Sequence, residues 1–330
     1  MAESGMPFTL GRRMVLAGLL CAPVPALAQP GRTYRVAVLE WEPQAGADGL
    51  AAFRQSLHSL GFVEGANLHV DIHFAGGRLE IADVFAQRIV ASRPDAIVAV
   101  ATPAAHAARR ATADIPIVFS AADPVGTGLV TNLARPGGNV TGVSLMMTDL
   151  EAKRLDLLRE ALPAAMRIAY LGSARDPASA GFLAQVRKAG TSHGLDIEVA
   201  MVDGPDEVDA RLGTLAATGV DAVIIQPLFT ISVFSAGRVA ESTLRHRIAA
   251  IGTYPPFAHA GGLLSFGPPP GFARQRAAQL VARILSGANP GDLPVEQPTG
   301  FHLVVNLATA RHLGIAIPPL LLARADEVIE

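Results

Sequence analysis

Polar, aromatic and small residues recur in this sequence just after short apolar runs that have the character of buried strands. Such runs, rich in β-branched residues, predict the strands of a parallel sheet. The residues that follow them are Glu40, Trp41, Thr102, Pro103, Ala104, Ser120, Asp123, Ser173, Gln226 and Tyr254. Open α/β sheets bind ligands at the carboxyl ends of their strands, so we expect this set to line a binding site for a small molecule.

Two of these positions have a definite chemistry. Thr102, followed by Pro103 and by the amides of Ala104 and Ala105, has the form of a helix start that holds a carboxylate. Trp41 is the only tryptophan. Its ring is suited either to stacking on a flat or apolar ligand or to packing against a lobe surface, and the sequence leaves both open.

Asp123 and Pro124 predict a local structure as well as a candidate site. Aspartate is a favoured N-cap, and a proline at the first helical position lacks only an N–H that would be unbonded there. We therefore predict a helix over residues 125–133, with ligand contact as an additional role of Asp123. Paired with Glu40 across a cleft, Asp123 is also a candidate general acid or base for an exported hydrolase.

The glycines at 126 and 128 raise the possibility of a dinucleotide-binding turn. The third glycine of that fingerprint is replaced by Thr131, and no acidic strand end follows at the required distance. Neither a Walker loop nor a G-x-S-x-G elbow is present, so we predict no cofactor and no serine nucleophile.

His69, Asp71 and His73 alternate along one predicted strand and therefore share a face. That arrangement is compatible with a metal site. We favour a polar strip on an edge strand, where charge discourages pairing with another chain, and predict no metal.

Length and composition limit the class of protein. The chain has 330 residues, of which 50% are hydrophobic, 5% are aromatic and 17% are charged, with a formal net charge of -2. A chain of this length is expected to form two domains with a large core. It lacks the basic field that nucleic-acid binding requires, so we predict no nucleic-acid partner.

Residues 1–28 are predicted as a cleaved signal peptide. An arginine pair precedes an apolar run, and an Ala-Leu-Ala site ends at Ala28. The context of the arginines matches the twin-arginine signal only in part, so the export route stays open between the general and twin-arginine pathways. Cys21, the only cysteine, lies inside this segment. We therefore expect a periplasmic, soluble product without a disulfide, catalytic thiol or cysteine-bound zinc.

Strands and helices alternate along the chain from Tyr34 to Ile251 in two successive series. This pattern predicts an α/β protein with two lobes, each built on a parallel sheet with right-handed crossovers. A strand near residue 264, a helix at 272–285, a further strand at 301–306 and a helical tail complete the prediction. We assign 33–144 plus 263–290 to the N-terminal lobe, and 145–262 plus 291–330 to the C-terminal lobe.

Long strings of the sequence closely resemble one family. They are DPVGTGLVTNLARPGGNVTGVS, EAKRLDLLREALP, AGGLLSFGP, GANPGDLPVEQPTGFHLVVNLATARHLGIAIPP and LLARADEVIE. From about Tyr34 to Glu330 the chain resembles the ABC-transporter substrate-binding proteins whose characterised members bind aromatic amino acids such as tryptophan. The resemblance implies the type 1 periplasmic-binding-protein fold, with two Rossmann-like lobes, a three-crossing hinge, ligand in the cleft and delivery to an ABC permease in the inner membrane.

One departure from that family concerns the ligand. Its members often have an aspartate before the Pro-Leu-Phe string, where this chain has Gln226. An amide can hydrogen-bond a ligand ammonium but contributes no charge. An amino acid, another small carboxylate and an aromatic or apolar compound are therefore all candidate ligands.

The leading hypothesis is a monomeric, non-enzymatic solute receptor whose lobes close on a ligand by hinge motion. A sensor domain that reports ligand binding to a membrane partner would use the same cleft. The exported hydrolase with Glu40 and Asp123 as its carboxylates is the third possibility.

Overall fold

A computed structural model describes residues 1–2, 31–44, 49–230 and 233–330. Within these ranges the strands form one five-stranded and one seven-stranded sheet. The predicted signal peptide, including its cleavage site and Cys21 but not Met1 and Ala2, lies outside the described residues. In the part of the chain that is described, no helix has the length and apolar character needed to cross a membrane.

The first sheet is entirely parallel, as the apolar runs predict. Its strands are β1 (Tyr34–Glu40), β2 (Leu68–Phe74), β3 (Ala96–Val100), β4 (Ile117–Ala121) and β5 (Val140–Ser144), in the order β2-β1-β3-β4-β5. Every residue of β3, β4 and β5 is buried, which explains why these strands lack polar alternation. β2 is an edge strand, and its His73 Nε2 lies 2.9 Å from Asp71 Oδ2.

Helices connect these strands. They are α1 (Gly49–Ser59), α2 (Leu79–Ala91) and α3 (Thr102–Ala111). In α1 the buried side chains are Leu50, Phe53 and Leu57, a spacing that places them on one face of the helix.

The second sheet is parallel except for one pair. Its strands are β6 (Arg167–Ser173), β7 (Asp196–Val202), β8 (Ala222–Ile225), β9 (Ala249–Gly252), β10 (Leu264–Gly267), β11 (His302–Asn306) and β12 (Glu327–Ile329), in the order β12-β11-β10-β9-β8-β6-β7. β10 and β11 are antiparallel. Helix α4 (Glu151–Ala161) precedes β6, and the next helices along the chain are α5 (Ser179–Ser192), α6 (Val208–Ala217), α7 (Val233–Arg245) and α8 (Pro255–His259).

The last part of the chain returns to the first sheet and then leaves it again. Helix α9 (Phe272–Leu285) packs against α1 and the strands β3, β4 and β5. Glu296 then exchanges backbone hydrogen bonds with β5, through Ser144 N–H (2.9 Å) and the Gly142 carbonyl (2.9 Å). The chain therefore crosses between the sheets in three places, at residues 145–150, 268–271 and 297–301.

Two expectations for this region differ from the structure. β10 lies in the second sheet, and Glu296 bonds to β5, so the segment that returns to the first sheet spans residues 268–296 and not 263–290. The tail contains the helices α10 (Leu307–Leu313) and α11 (Pro319–Leu322), but it ends in the strand β12, which pairs with β11. β12 has only three residues, too few to show a period in the sequence.

The predicted helix over residues 125–133 is wrong. The segment forms successive turns, in which Asp123 Oδ1 accepts from the Gly126 N–H at 2.7 Å and the Thr127 N–H donates to the Asp123 carbonyl at 3.1 Å. Gly128 has φ +72°, which a helix does not allow. Asp123 thus caps a turn in the way expected of an N-cap, but the glycines end the helical conformation after one turn.

A fully buried guanidinium lies where two of the crossings meet. Arg154 of α4 is 0% exposed, and its Nη1 donates to Glu151 Oε1 at 2.9 Å. Its Nε donates to the Phe266 carbonyl at 3.2 Å, and its Nη2 donates to Thr253 Oγ1 and contacts the Met147 sulfur. Met147 belongs to the first crossing, and Phe266 immediately precedes the second. Arg154 therefore ties both crossings to the second sheet.

Burial raises the pKa of Glu151 to about 7, even though the neighbouring Arg154 lowers it. Its second oxygen, Oε2, has no hydrogen-bond partner. A buried charge pair of this kind contributes little to the free energy of folding as a whole. Removing one partner is strongly destabilising, because the other is left as an uncompensated buried charge.

Replacing Arg154 by methionine should therefore lower the free energy of unfolding by about 3–5 kcal/mol. Lys153→Met changes the neighbouring, exposed position of the same helix and should stay within about 0.5 kcal/mol of the wild type. Urea unfolding of both variants measures the difference. A cost below about 1 kcal/mol for Arg154→Met would contradict the role given to this side chain.

Candidate functional site

The carboxyl ends of the two sheets face each other, and a small deep cavity of about 30 Å³ lies between them. From the first lobe it is lined by Ala101, Thr102, Ser120 and Ala122. From the second lobe and the first crossing it is lined by Leu145, Met147, Asp176, Phe182, Pro227, Leu228 and Tyr254. Its wall is largely apolar, with a few polar groups that point in from opposite sides, as in many small-molecule sites.

A larger cavity of about 780 Å³ forms the outer part of the same cleft, which we call the mouth. Its walls are the loops after β1, β2, β6 and β7 together with part of α7. Leu228 lines both cavities. Arg175 Nη1 of the second lobe pairs with Glu80 Oε1 of α2 at 2.8 Å, so an exposed ion pair spans the mouth.

Asp176 is the one carboxylate among the residues that line the deep cavity. It is 7% exposed, its Oδ1 accepts from the Ala178 N–H at 3.0 Å, and its Oδ2 accepts from Gln226 Nε2 at 2.6 Å. Burial raises its pKa to about 6, although both hydrogen bonds lower it. A carboxylate has about four acceptor positions, so Asp176 retains acceptor capacity toward the cavity.

Sequence reasoning missed Asp176. Asp176 and Pro177 follow β6 just as Asp123 and Pro124 follow β4, so the repeated Asp-Pro pair was an available signal. Asp176 places a carboxyl group beside Gln226, whose own amide contributes no charge.

Gln226 is fully buried beneath the cavity at the end of β8. Its Oε1 accepts from the Ser173 N–H at 2.5 Å and from Ser179 Oγ at 3.3 Å. It therefore contacts the loop after β6 and the start of α5 at once.

The start of α3 presents polar groups to the opposite side of the cavity. Thr102 is 2% exposed, and its Oγ1 accepts from the Ala122 N–H at 3.2 Å, which leaves the hydroxyl hydrogen available as a donor. The amides of Ala104 and Ala105 were expected to hold a carboxylate. The Ala105 N–H already donates to the Ala101 carbonyl at 3.0 Å.

Ala101, just before α3, has an unusual backbone conformation. Its φ is 75° and its ψ is 156°, in a region that only glycine adopts without strain. Such strain typically accumulates at ligand-binding positions.

Five of the predicted site residues line one of the two cavities. Thr102, Ser120 and Tyr254 line the deep cavity, whereas Trp41 and Ser173 line the mouth. Trp41 is only 6% exposed and also packs in the core of the first lobe, so both roles considered for it have a structural basis. Burial raises the pKa of the Tyr254 phenol, against the lowering effects of Arg154 and Arg274.

Five predicted residues line neither of the two cavities described above, and Gln226 is one of them. Pro103 and Ala104 are buried in α3. Glu40 is 1% exposed, and its carboxylate accepts from Arg274 Nη2 at 2.7 Å. Asp123 holds its turn and accepts from Thr148 Oγ1 at 3.3 Å.

A sequence model described as ABC transporter substrate binding protein matches residues 44–329. The chain belongs to the ABC transporter substrate-binding protein family. A curated relative, the "Tyrosine-binding protein" of Clostridioides difficile (strain R20291), is 27% identical over 264 residues, which cover 80% of this chain and 75% of the relative.

Solved structures agree with this membership. A conserved domain protein from Vibrio cholerae is 30% identical, with a TM-score of 0.82 over 90% of this chain and 100% of that chain. A Streptococcus pneumonia ABC domain in complex with L-Trp is 25% identical, with a TM-score of 0.80 over 90% of this chain and 100% of that chain. This substrate-binding protein thus has the two-lobed α/β fold of type 1 periplasmic binding proteins, as the sequence predicts.

The pKa of Asp176 makes the stability of this substrate-binding protein depend on pH. Because that pKa is higher in the folded chain than its ordinary value of 3.8, the contribution of Asp176 to folding is fully present below about pH 4 and is lost as the pH rises through about 6. The shift is about two pKa units, or about 3 kcal/mol.

The difference in unfolding free energy between Asp176→Asn and the wild type should therefore move in favour of the variant by up to about 3 kcal/mol between about pH 4 and pH 8. Asp196→Asn, at the exposed first position of β7, should stay within about 0.5 kcal/mol of the wild-type curve. Urea unfolding at several pH values tests this. A pH-independent difference for Asp176→Asn would show that this carboxyl is not ionising in a buried site.

Ala101→Gly should stabilise the unliganded substrate-binding protein by about 1 kcal/mol, because relief of about 1–3 kcal/mol of strain exceeds the entropic cost of glycine. Ala99→Gly, two residues earlier in the regular part of β3, should instead destabilise it by about 1 kcal/mol. Thermal or urea unfolding compares them, and a destabilising Ala101→Gly would refute the strain.

Proposed function

We propose that this substrate-binding protein captures an apolar or aromatic α-amino acid in the interlobe cleft and delivers it to an ABC permease. The observation that carries the proposal is the buried Asp176 carboxylate on the wall of the deep cavity. A buried carboxylate is stable in its charged form only when hydrogen-bond donors or a positive charge replace the water that it has lost, and the two donors of Asp176 offset only part of that cost. A ligand ammonium supplies that charge together with several N–H donors.

The other end of an amino acid has a matching partner across the cavity. Thr102 retains a hydroxyl donor, and it begins the ten-residue helix α3. A helix N-terminus favours an anion through its free N–H groups and its dipole. We propose Thr102 and Ser120 as the groups that receive the ligand carboxylate.

Apolar side chains account for the remaining wall. Leu145, Met147, Phe182 and Tyr254 would contact the ligand side chain, which favours a hydrophobic or aromatic amino acid. Trp41 and Ser173 are proposed as contacts at the mouth. In contrast, Glu40, Pro103, Ala104 and Asp123 are better explained by their structural contacts.

The size of the deep cavity bears on the mechanism of capture. A space of about 30 Å³ holds only a water molecule or two, so an amino acid requires the lobes to lie further apart than they do here. We propose that the lobes open at the three crossings, admit the ligand from the mouth and close on it. The proposal has support from relatives whose names state tyrosine binding or an L-Trp complex.

Location and partners follow from the same proposal. The N-terminal segment has the composition of a signal peptide cleaved after Ala28, which supports export to the periplasm. A monomer that closes around its ligand and docks on a permease needs no catalytic group. The hydrolase alternative loses its support, because Glu40 is paired with Arg274, Asp123 holds a turn, and the curated relative is named as a tyrosine-binding protein.

A thermal-shift comparison tests the ligand class. L-Tyrosine should raise the melting temperature, because at a hundredfold excess over Kd a ligand stabilises the native state by about 2.7 kcal/mol. Removing the ammonium, as in 3-(4-hydroxyphenyl)propionate, or the carboxylate, as in tyramine, should abolish most of the shift. Asp176→Asn should lose the response to L-tyrosine, whereas the surface variant Asp196→Asn should keep it. Equal shifts with L-tyrosine and the propionate would exclude Asp176 as an ammonium site.

A further inference from the structure

Gln226 is held in one orientation by its neighbours. The Ser173 backbone N–H, which can only donate, lies 2.5 Å from its Oε1, and the Ser179 hydroxyl lies 3.3 Å from the same atom. The backbone donor alone identifies that atom as the oxygen, because the Ser179 hydroxyl has a single hydrogen and also contacts the Ser173 carbonyl. The amide N–H₂ must therefore point to Asp176 at 2.6 Å. The orientation of the Gln226 amide is therefore set by a backbone group.

This orientation favours the ionised state of Asp176. A side-chain amide N–H₂ can only donate, so Asp176 Oδ2 must be an acceptor, and Oδ1 already accepts from the Ala178 N–H. Both oxygens therefore accept a hydrogen bond, and both bonds favour the charged carboxylate over the neutral acid. Gln226 directly follows β8, and Asp176 lies three residues beyond the adjacent strand β6, so both lie at the same edge of the second sheet.

A carboxylate at position 226 would not serve the same purpose. It would place a second negative charge about where Nε2 now lies, 2.6 Å from Asp176 Oδ2, and two carboxylates at that distance share a proton. A donor at 226 and a charge at 176 are thus a matched pair.

The other charged and titratable groups near Asp176 do not replace its hydrogen bond from Gln226. Tyr170 of β6 lies close enough for Asp176 to raise its pKa, so it is a neutral neighbour. Arg154 and Glu151 of α4 are paired with each other, and Arg175 Nη1 is paired with Glu80 across the mouth.

We propose that Gln226 is a positioning and specificity-determining residue, which presents the Asp176 carboxylate to the cavity as a hydrogen-bond acceptor and so selects ligands with an ammonium group. The inference rests on the proposed function for its ligand. The inference has two parts, the effect of Gln226 on the ionisation of Asp176 and the selection of ammonium ligands. The first part concerns the unliganded protein and can be tested without any ligand.

The test uses the mature protein, Gln226→Met, Gln226→Glu and the surface control Gln275→Met, which changes an exposed residue of α9. Carbon-13 NMR of side-chain carboxyls follows the titration of Asp176, whose signal is identified by its loss in Asp176→Asn. Isothermal titration calorimetry with L-tyrosine over a range of pH gives the affinity.

In Gln226→Met the titration midpoint of Asp176 should rise by about one unit, because a hydrogen bond to the charged form is lost. Affinity for L-tyrosine near neutral pH should fall roughly tenfold and recover in part at higher pH, where Asp176 ionises again. Gln226→Glu should show two coupled titrations and a weaker, strongly pH-dependent affinity. Gln275→Met should match the wild type in both measurements.

An unchanged Asp176 midpoint in both Gln226 variants would overturn the proposal. A changed midpoint with an unchanged pH profile of binding would overturn the selection of ammonium ligands. If Gln226→Met does not fold, Gln226→Glu alone still decides the first part. Failure of the wild type to bind L-tyrosine, with a midpoint that moves as expected, would reject the proposed amino-acid ligand and leave the control of Asp176 by Gln226 established.

Discussion

A carboxylate removed from water must be given hydrogen-bond donors or a positive charge, and this requirement shapes the centre of the cleft. Asp176 is 7% exposed and has a backbone N–H and the Gln226 amide as its donors. These bonds offset only part of the cost of burial, so its pKa is still raised to about 6. A ligand that brings a positive charge to this carboxylate offsets the remaining cost of its burial.

Gln226, which bonds to Asp176, connects the cleft to the interior of the second lobe. Gln226 joins Asp176 to Ser173 and Ser179, which fixes the loop after β6 against the end of β8. Nearby, Arg154 ties the first crossing to the β10 carbonyl that precedes the second. Buried polar groups therefore hold both the carboxylate at the cavity and two of the crossings in place.

The general architecture could be predicted from the sequence because it depends on regular patterns. Buried parallel strands such as β3 and β4 give continuous apolar runs, and α9 begins and ends at the residues that the helical spacing indicates. The false helix at 125–133 shows where local rules fail. Its Asp-Pro start was a genuine turn signal, but Gly128 adopts a positive φ that no helix accommodates.

The site could be predicted only in outline. Thr102, Ser120 and Tyr254 line the deep cavity because Ser120 lies near the end of β4, and Thr102 and Tyr254 lie just beyond β3 and β9. The ends of parallel strands converge at one edge of a sheet, which is why the sequence could indicate these positions. Asp176 was missed because it lies three residues beyond β6, and its burial depends on a neighbour 50 residues further along the chain. Similarly, nothing local to Glu40 indicates Arg274, which pairs with it from α9. Pairings of distant residues are set by the fold and leave no period in the sequence.

A crystal structure of the mature protein grown with L-tyrosine tests the central claim most directly. The account predicts the ligand ammonium within about 3 Å of an Asp176 oxygen, the ligand carboxylate near the start of α3, and the Gln226–Asp176 hydrogen bond retained. A ligand bound with its ammonium away from Asp176, or with only apolar atoms against that carboxylate, would contradict it.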